Sequence, residues 1–331
     1  MSHESFAQSV LNRYAVPLRG ALTFLGNHGG FSGAQVWRVN AVAMSFCLKA
    51  WPTDGRPAAE VSWIHRLMAQ AAHLPWMPRL APTMDGATCV NHAGRLWELQ
   101  TWVPGVADFA AQPSSARLQA VCLALAQLHG AWRSTERRSG ICPAVERRWD
   151  SWRIWQQLVQ SGWRPVVGPL DPFATLADSL WDLLQERIDE VPRLLTPWLT
   201  RPVALQPCVC DLWHDHVFFT GSEVTGLIDF GSVKVDHVAV DLARLLGSLI
   251  GSDSERWKIA LAAYESLQPF SAEERLLAQD LDRTGTILAA THWLRWLYHD
   301  RRVYERPAAV VGRLEQLLGR LREIREYERD A

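Results

Sequence analysis

The chain has 331 residues, 48% of them hydrophobic and 21% charged, an ordinary balance for a globular protein with a sizeable core. A formal net charge of −1 excludes a global field that would draw it to nucleic acid or to an anionic membrane surface. No uninterrupted apolar run reaches membrane-spanning length, and the opening MSHESFAQSV lacks the basic and apolar segments of a secretory signal, so a cytoplasmic protein is expected.

In chain order, AQVWRVN and MSFCLKAW alternate as a β-hairpin, with Met44, Phe46 and Leu48 on one face and Cys47, Lys49 and Trp51 on the other. RPAAEVSWIHRLMAQAA follows as a helix: Val61, Ile64, Leu67 and Met68 recur at helical spacing, and Pro57 suits the first turn. GATCVNHAGRLWELQTWV reads as a second hairpin turning near Asn91 to Gly94, after which Pro104 and Gly105 break the pattern. From there the chain turns helical. SSARLQAVCLALAQLHGAW sets Leu118, Val121, Cys122, Leu125 and Leu128 on one stripe, with Ser114 or Ser115 as cap. Further helices are DSWRIWQQLVQ, FATLADSLWDLLQERIDEV, SERWKIALAAYESL, EERLLAQDLDRTGTILAATHWLRWLYHD and VVGRLEQLLGRLREIREYE. One β-element interrupts this helical half. An α+β chain is expected, a small β-rich amino lobe (1–101) meeting a larger mostly helical lobe (102–331), with the junction near 98–105 as a usual place for a ligand cleft. The six cysteines form no Cys-x-x-Cys pair and read as reduced, mostly buried thiols.

The β-element in the helical half carries the densest chemistry. CVCDLWHDHVFFTGSEVTGLIDFGSVKVDHVAVDLARLL, starting at Cys208, holds apolar strands separated by aspartates and histidines. Val217–Phe219 and Val224–Ile228 flank Thr220-Gly221-Ser222-Glu223, a turn by composition. Paired as a hairpin, they bring Asp211, His214, Asp215 and His216 toward Asp229. Asp229 sits inside Leu-Ile-Asp-Phe-Gly, where a carboxylate is costly to bury unless a cation holds it. Such a gathering suits a hard divalent ion with oxygen ligands; the alternative is a set of exposed loop charges.

These residues carry a resemblance. Val209-Cys210-Asp211-Leu212-Trp213-His214-Asp215-His216 resembles the His-Gly-Asp-Leu-His-Pro-Gly-Asn catalytic loop of the protein-kinase-like phosphotransferases typified by aminoglycoside phosphotransferases and choline kinases. Ile228-Asp229-Phe230-Gly231 fills their second loop unchanged, and the gap of 18 residues between Asp211 and Asp229 is the family's. The resemblance implies a two-lobed protein-kinase-like fold and transfer of the γ-phosphate of ATP to a small-molecule hydroxyl. It implies Asp211 as catalytic base, Asp229 as ligand of the magnesium that bridges the ATP phosphates, and Asp241 as the structural aspartate that follows. Val209 departs from the family histidine. His216 stands where the family has a metal-binding asparagine, and imidazole is a softer ligand than an amide oxygen. Four outcomes stay open: magnesium resting mainly on Asp229, His216 contacting phosphate, Mn2+ as the preferred ion, or lost catalysis.

The nucleotide side follows in order along the amino lobe. LGNHGGFSGAQVWRV offers Gly26, Gly29, Gly30, Ser32 and Gly33 ahead of a strand, where glycine lets backbone N–H groups approach anions. Only three of the 34 basic residues are lysine (Lys49, Lys234 and Lys258), so Lys49 invites a reason: a compact ammonium acts as a point charge on phosphate. By the resemblance Glu60, on the next helix, orients Lys49, and backbone groups from Glu98 through Gln100 to Thr101 form the adenine hinge. ALAQLHGAW resembles the helix after that hinge.

The acceptor is less defined. THWLRWLYHDRRVYER is aromatic and basic, unlike the acidic acceptor pockets of aminoglycoside-modifying relatives. Trp149, Trp152 and Trp155 form an i, i+3 stripe flanked by Arg147, Arg148 and Arg153, which packing between helices explains at least as well. If functional, arginines suit a carboxylate or phosphate on the acceptor, and tryptophans a sugar ring or a quaternary amine. A small metabolite alcohol is favoured over an antibiotic, with no nucleic acid or membrane partner and either a monomer or a homodimer. Two other readings compete. One is a metal-dependent hydrolase with His214 and His216 on one strand face and Asp229 or His237 completing the site. The other is a nucleotide-binding pseudokinase.

Overall fold

The computed structural model describes residues 3–17, 22–26, 33–42, 44–168, 170–304 and 306–324. In chain order the elements begin with α1 (His3–Leu11), β1 (Leu22–Gly26), β2 (Gln35–Asn40), β3 (Ser45–Ala50), α2 (Ala58–Gln70), β4 (Val90–His92), β5 (Arg95–Thr101) and α3 (Ser115–Trp132). They continue with β6 (Arg138–Gly140), α4 (Pro143–Gln160), α5 (Ala174–Arg187), α6 (Glu190–Leu195) and β7 (Val203–Cys208). The last are β8 (Val217–Thr220), β9 (Glu223–Leu227), β10 (Lys234–Asp236), α7 (Ala239–Ile250), α8 (Ser254–Glu265), α9 (Ala272–Leu294) and α10 (Pro307–Glu323). Two compact units result, one of residues 1–132 and 215–232, the other of 133–214 and 233–331.

The first unit is built on a five-stranded antiparallel sheet in the order β1-β2-β3-β5-β4. Both expected hairpins are present, and alternation fixes their register: Val36 lies opposite Lys49 and Trp37 opposite Leu48. Leu48, Leu99, Trp37 and Trp97 fill one side of the sheet, where Ala7, Val10 and Leu11 of α1 close over them. Trp37 and Trp97 stack with centroids 5.1 Å apart. Helix α2 buries Val61, Ile64, His65, Leu67 and Met68, and α3 ends on Trp132, whose indole N–H donates to the Leu67 carbonyl at 2.8 Å. Ser114 caps α3 through the Arg117 amide. The β8–β9 hairpin belongs to this unit, and residues 106 and 219 exchange backbone hydrogen bonds that tie it to the segment after β5.

In the second unit α9 is central, packing against α4, α5, α6, α7 and α10. Its start carries a capping box, Ser271 to the Glu274 amide and Glu274 back to Ser271. Its end passes into a π-helical turn, Arg295–His299. Asp282 of α9 is buried against α7, and both its oxygens accept from Nη2 of Arg320 of α10, at 3.0 and 2.8 Å.

The helical half holds more β-structure than its pattern suggests. β6, β7 and β10 form a second small sheet, order β10-β7-β6. β6 and β10 have three residues each and β7 contains Pro207, so neither alternation nor strand propensity exposes them. The segment 173–191 is two helices, not one, with the break after Arg187. Buried Trp155 joins half-buried Trp163 and Trp181 in an aromatic cluster, so this member of the tryptophan stripe packs between elements. The six cysteines are unpaired thiols, and burial pushes Cys122 and Cys142 up to about 12. Among the described residues no helix is long and apolar enough to cross a membrane.

Leu48 is fully buried at the centre of the first sheet. Leu48→Ala is expected to lower stability by about 3 kcal/mol, from lost transfer energy plus a residual cavity, read by urea titration of the β-sheet signal.

Candidate phosphoryl-transfer site

Strand β3 alternates core and site. Leu48 points into the core, so Lys49 points to the other face, opposite Glu98 of β5. There the Lys49 ammonium meets Asp229 Oδ1 at 2.8 Å. Asp229 follows β9 with φ at +60°, a left-handed conformation that aspartate adopts more readily than most residues. Its neighbour Gly231 makes room for the pair: a Cβ there would lie 3.1 Å from Asp229 Oδ1 and 3.5 Å from Lys49 Nζ. The Ile228 amide donates to the His216 carbonyl at 3.0 Å, closing the open end of the hairpin. This brings the His216 imidazole Nε2 to 3.8 Å from Asp229 Oδ2. Of the residues expected to gather at Asp229, His216 is the one seen beside it in the first unit, and Lys49 joins the pair.

The charges in this group fix one another. Lys49 holds the Asp229 carboxyl far below the usual carboxylate range, overcoming the opposite push of burial. Burial would lower Lys49, yet the charges of Asp229 and Glu98 outweigh it and raise the ammonium above its ordinary value. Asp229 therefore stays ionised, with Oδ1 on lysine and Oδ2 turned toward His216. A carboxylate oxygen and an imidazole nitrogen at that separation fit one divalent ion, since two ligand atoms each about 2.1 Å from a metal stand roughly 3–4 Å apart. Because one donor is nitrogen, the pair is less selective for magnesium than an all-oxygen site.

One expectation about the nucleotide side is corrected. Glu60 does not orient Lys49. It falls outside the buried face of α2, is exposed, and pairs with Arg56 at 2.9 Å, while Arg56 also donates to the Gly231 carbonyl at 2.7 Å. The second carboxylate near Lys49 is Glu98, expected at the adenine hinge. Its side chain is buried and accepts from Trp51 Nε1 at 2.7 Å, with His65 Nε2 at 2.9 Å. Burial pushes Glu98 up, but the His65 hydrogen bond and the Lys49 charge leave it below its ordinary value. The backbone of this stretch is also engaged: the Leu99 carbonyl accepts from Ala81, and the Thr101 amide donates to Arg79, both at 2.8 Å. Gln100 is buried beside Cys47, its partner across the sheet. Gly29, Gly30 and Ser32 lie outside the described residues; Gly33 is described, and its carbonyl accepts from Arg95 at 3.3 Å.

Asp211 belongs to the second unit, in the loop after β7. Asp241, fully buried in the first turn of α7, accepts from the Val209 amide at 2.7 Å and the Cys210 amide at 2.6 Å. That double acceptance holds Cys210 at φ +66° and sets where the next residue points. Asp211 is half exposed and pairs with Arg244 Nε of α7 at 3.0 Å. Trp213, two residues on, lies under both Arg244 and Arg313, with guanidinium carbons 5.3 and 4.5 Å from the ring centroid. Sequence reading missed Arg244; its one signal is a lone charge in the apolar run LARLLGSLI.

The hydrolase geometry is not formed. His214 and His216 belong to a short 3-10 turn, not a strand, so residues two apart do not share a face. His214 leans on Trp213 and its amide donates to Ser248 Oγ. His237 is taken up by Glu274 at 3.1 Å and by the Ala239 amide.

The fold is that of protein-kinase-like phosphotransferases. It matches the spectinomycin phosphotransferase APH(9)-Ia, solved in complex with ADP and spectinomycin, over 99% of this chain and 95% of that one, with a TM-score of 0.71 at 12% identity. The profile of the phosphotransferase enzyme family (APH) matches residues 23–278, and the chain belongs to that family. Homoserine kinase from Azorhizobium caulinodans is 26% identical over 306 residues, 89% of this chain and 88% of that protein. Homoserine kinase from Beijerinckia indica subsp. indica is 30% identical over 262 residues, 75% of this chain and 74% of that protein.

Asp241→Asn replaces an acceptor oxygen by an amide that cannot receive the second N–H. It is expected to cost about 1–3 kcal/mol in thermal or urea unfolding, and to slow turnover by loosening the loop that carries Asp211.

Proposed function

We propose that this phosphotransferase moves the γ-phosphate of ATP to the hydroxyl of a small metabolite, with homoserine as the first acceptor. The observation that carries the reading is the Lys49–Asp229 pair: a permanently ionised carboxylate bound to an ammonium, with an imidazole beside its second oxygen. The two homoserine kinases, matched over most of their own length, support homoserine as the acceptor.

Phosphoryl transfer asks mainly for positioning and charge neutralisation. Lys49 would leave Asp229 for the α- and β-phosphates, keeping its charge because Glu98 remains nearby. Asp229 and His216 would hold a divalent ion, magnesium or manganese, which when bound neutralises charge on the phosphates. Gly33, with Gly29, Gly30 and Ser32, would cover the phosphates, and the end of β5 at Gln100 and Thr101 would border the adenine. Asp211 would accept the acceptor's hydroxyl proton. In the free protein Arg244 shares that carboxylate, so it would have to yield when the acceptor arrives.

A thermal-shift series with ATP and magnesium, manganese or zinc, joined to a homoserine phosphorylation assay, tests the reading. Stabilisation by ATP only with a divalent ion, and phosphohomoserine formation lost in Asp211→Asn and Asp229→Asn, is the expected result. Asp229→Asn should also remove the metal dependence of nucleotide binding. ATP binding indifferent to metal would favour the pseudokinase, and undiminished turnover in either variant would reject the roles given. His216→Asn, which supplies an amide oxygen, is expected to shift the preference from manganese toward magnesium several-fold in metal titrations of turnover.

A further inference from the structure

Helix α4 carries a group of hydrogen-bond donors without acceptors. Arg148 has one side-chain hydrogen bond, from Nη1 to the Ala144 carbonyl at 3.2 Å; its buried Nε has none, and no carboxylate pairs with it among the described residues. One turn along, on the same face, Trp152 also buries its indole N–H without an acceptor. Arg295, in the π-helical turn after α9, buries a third such donor, its nearest carboxylate being Asp300 at 3.7 Å. Burial, then the charges of Arg295 and Arg148, lower His292 to about 4. The nearby acids are already committed, Asp282 to Arg320 and Asp236 to Arg147 and the Ala144 and His237 amides.

A half-buried guanidinium whose Nε has no acceptor is costly, and proteins seldom keep one without a use. The fold also makes space for it: a Cβ at Gly285 of α9 would lie 3.2 Å from Arg148 Nη2. One turn before Gly285, Asp282 of α9 abuts Gly247 of α7, the helix whose Arg244 pairs with Asp211. We propose that Arg148, with the indole N–H of Trp152, binds a carboxylate on the acceptor and so presents the acceptor's hydroxyl to Asp211. A planar two-oxygen anion matches the guanidinium fork better than a tetrahedral phosphate does. The inference rests on the phosphotransferase reading above and narrows its substrate to hydroxyl compounds that bear a carboxylate.

The test compares L-homoserine with 3-aminopropan-1-ol, the same amine and alcohol without the carboxylate, in the full-length protein and in Arg148→Met and Arg148→Lys. The wild type is expected to favour homoserine in kcat/KM. Arg148→Met should cut that preference roughly 10- to 100-fold, mainly through the KM for homoserine, with partial recovery in Arg148→Lys. The melting temperature of ligand-free Arg148→Met should equal or exceed that of the wild type, because a buried donor without an acceptor is removed. A preserved preference, or a clear fall in melting temperature, overturns the proposal. If the wild type phosphorylates neither alcohol, the homoserine reading fails, and the carboxylate site is decided by the melting comparison alone.

Discussion

The rest of the first unit is arranged around one ion pair, Lys49 with Asp229. Each charge would be unfavourable alone: the lysine is largely buried on a central strand, and the aspartate ends an apolar strand in a left-handed conformation. Together they stabilise each other and hold the end of the β8–β9 hairpin to the sheet. The demands spread outward. β3 must lie between β2 and β5 so that its alternate residues serve core and site, residue 231 must lack a side chain, and Glu98 must be satisfied by Trp51 and His65.

The second unit shows two opposite treatments of buried charge. Asp241 receives two backbone amides and rigidifies the loop before Asp211. Arg148 is left without a carboxylate. The first is what a structural carboxylate looks like, every oxygen used. The second is what a binding group looks like before its ligand arrives, and the cost falls on the stability of the free protein.

Much of this was legible in the sequence, for identifiable reasons. The hairpins at 35–50 and 90–101 follow from alternation. Asp229 stood out because a carboxylate interrupts an apolar strand, and the scarcity of lysine singled out Lys49. Glu98 carries the same signal as Asp229, an acid within RLWELQT, whereas a resemblance to a hinge concerns its backbone and says nothing of its side chain. Glu60 was misassigned because a helix one element later offers several faces, and only tertiary packing shows that His65 turns toward the sheet. The three short strands of the helical half have too few residues for any period to show. Arg148 was visible as a flanking arginine; that it lacks a partner is a property of three-dimensional neighbours and no pattern reports it.

The left-handed backbone at Asp229 bears on how such a protein changes over generations. Asparagine is the other common residue that tolerates this conformation, and a single base separates the codons of the two. The negative charge at this position can therefore vanish in one mutational step with little disturbance to the peptide chain. A lineage carrying this sequence stands one nucleotide from a descendant that keeps this turn of the backbone but leaves the Lys49 ammonium without its carboxylate.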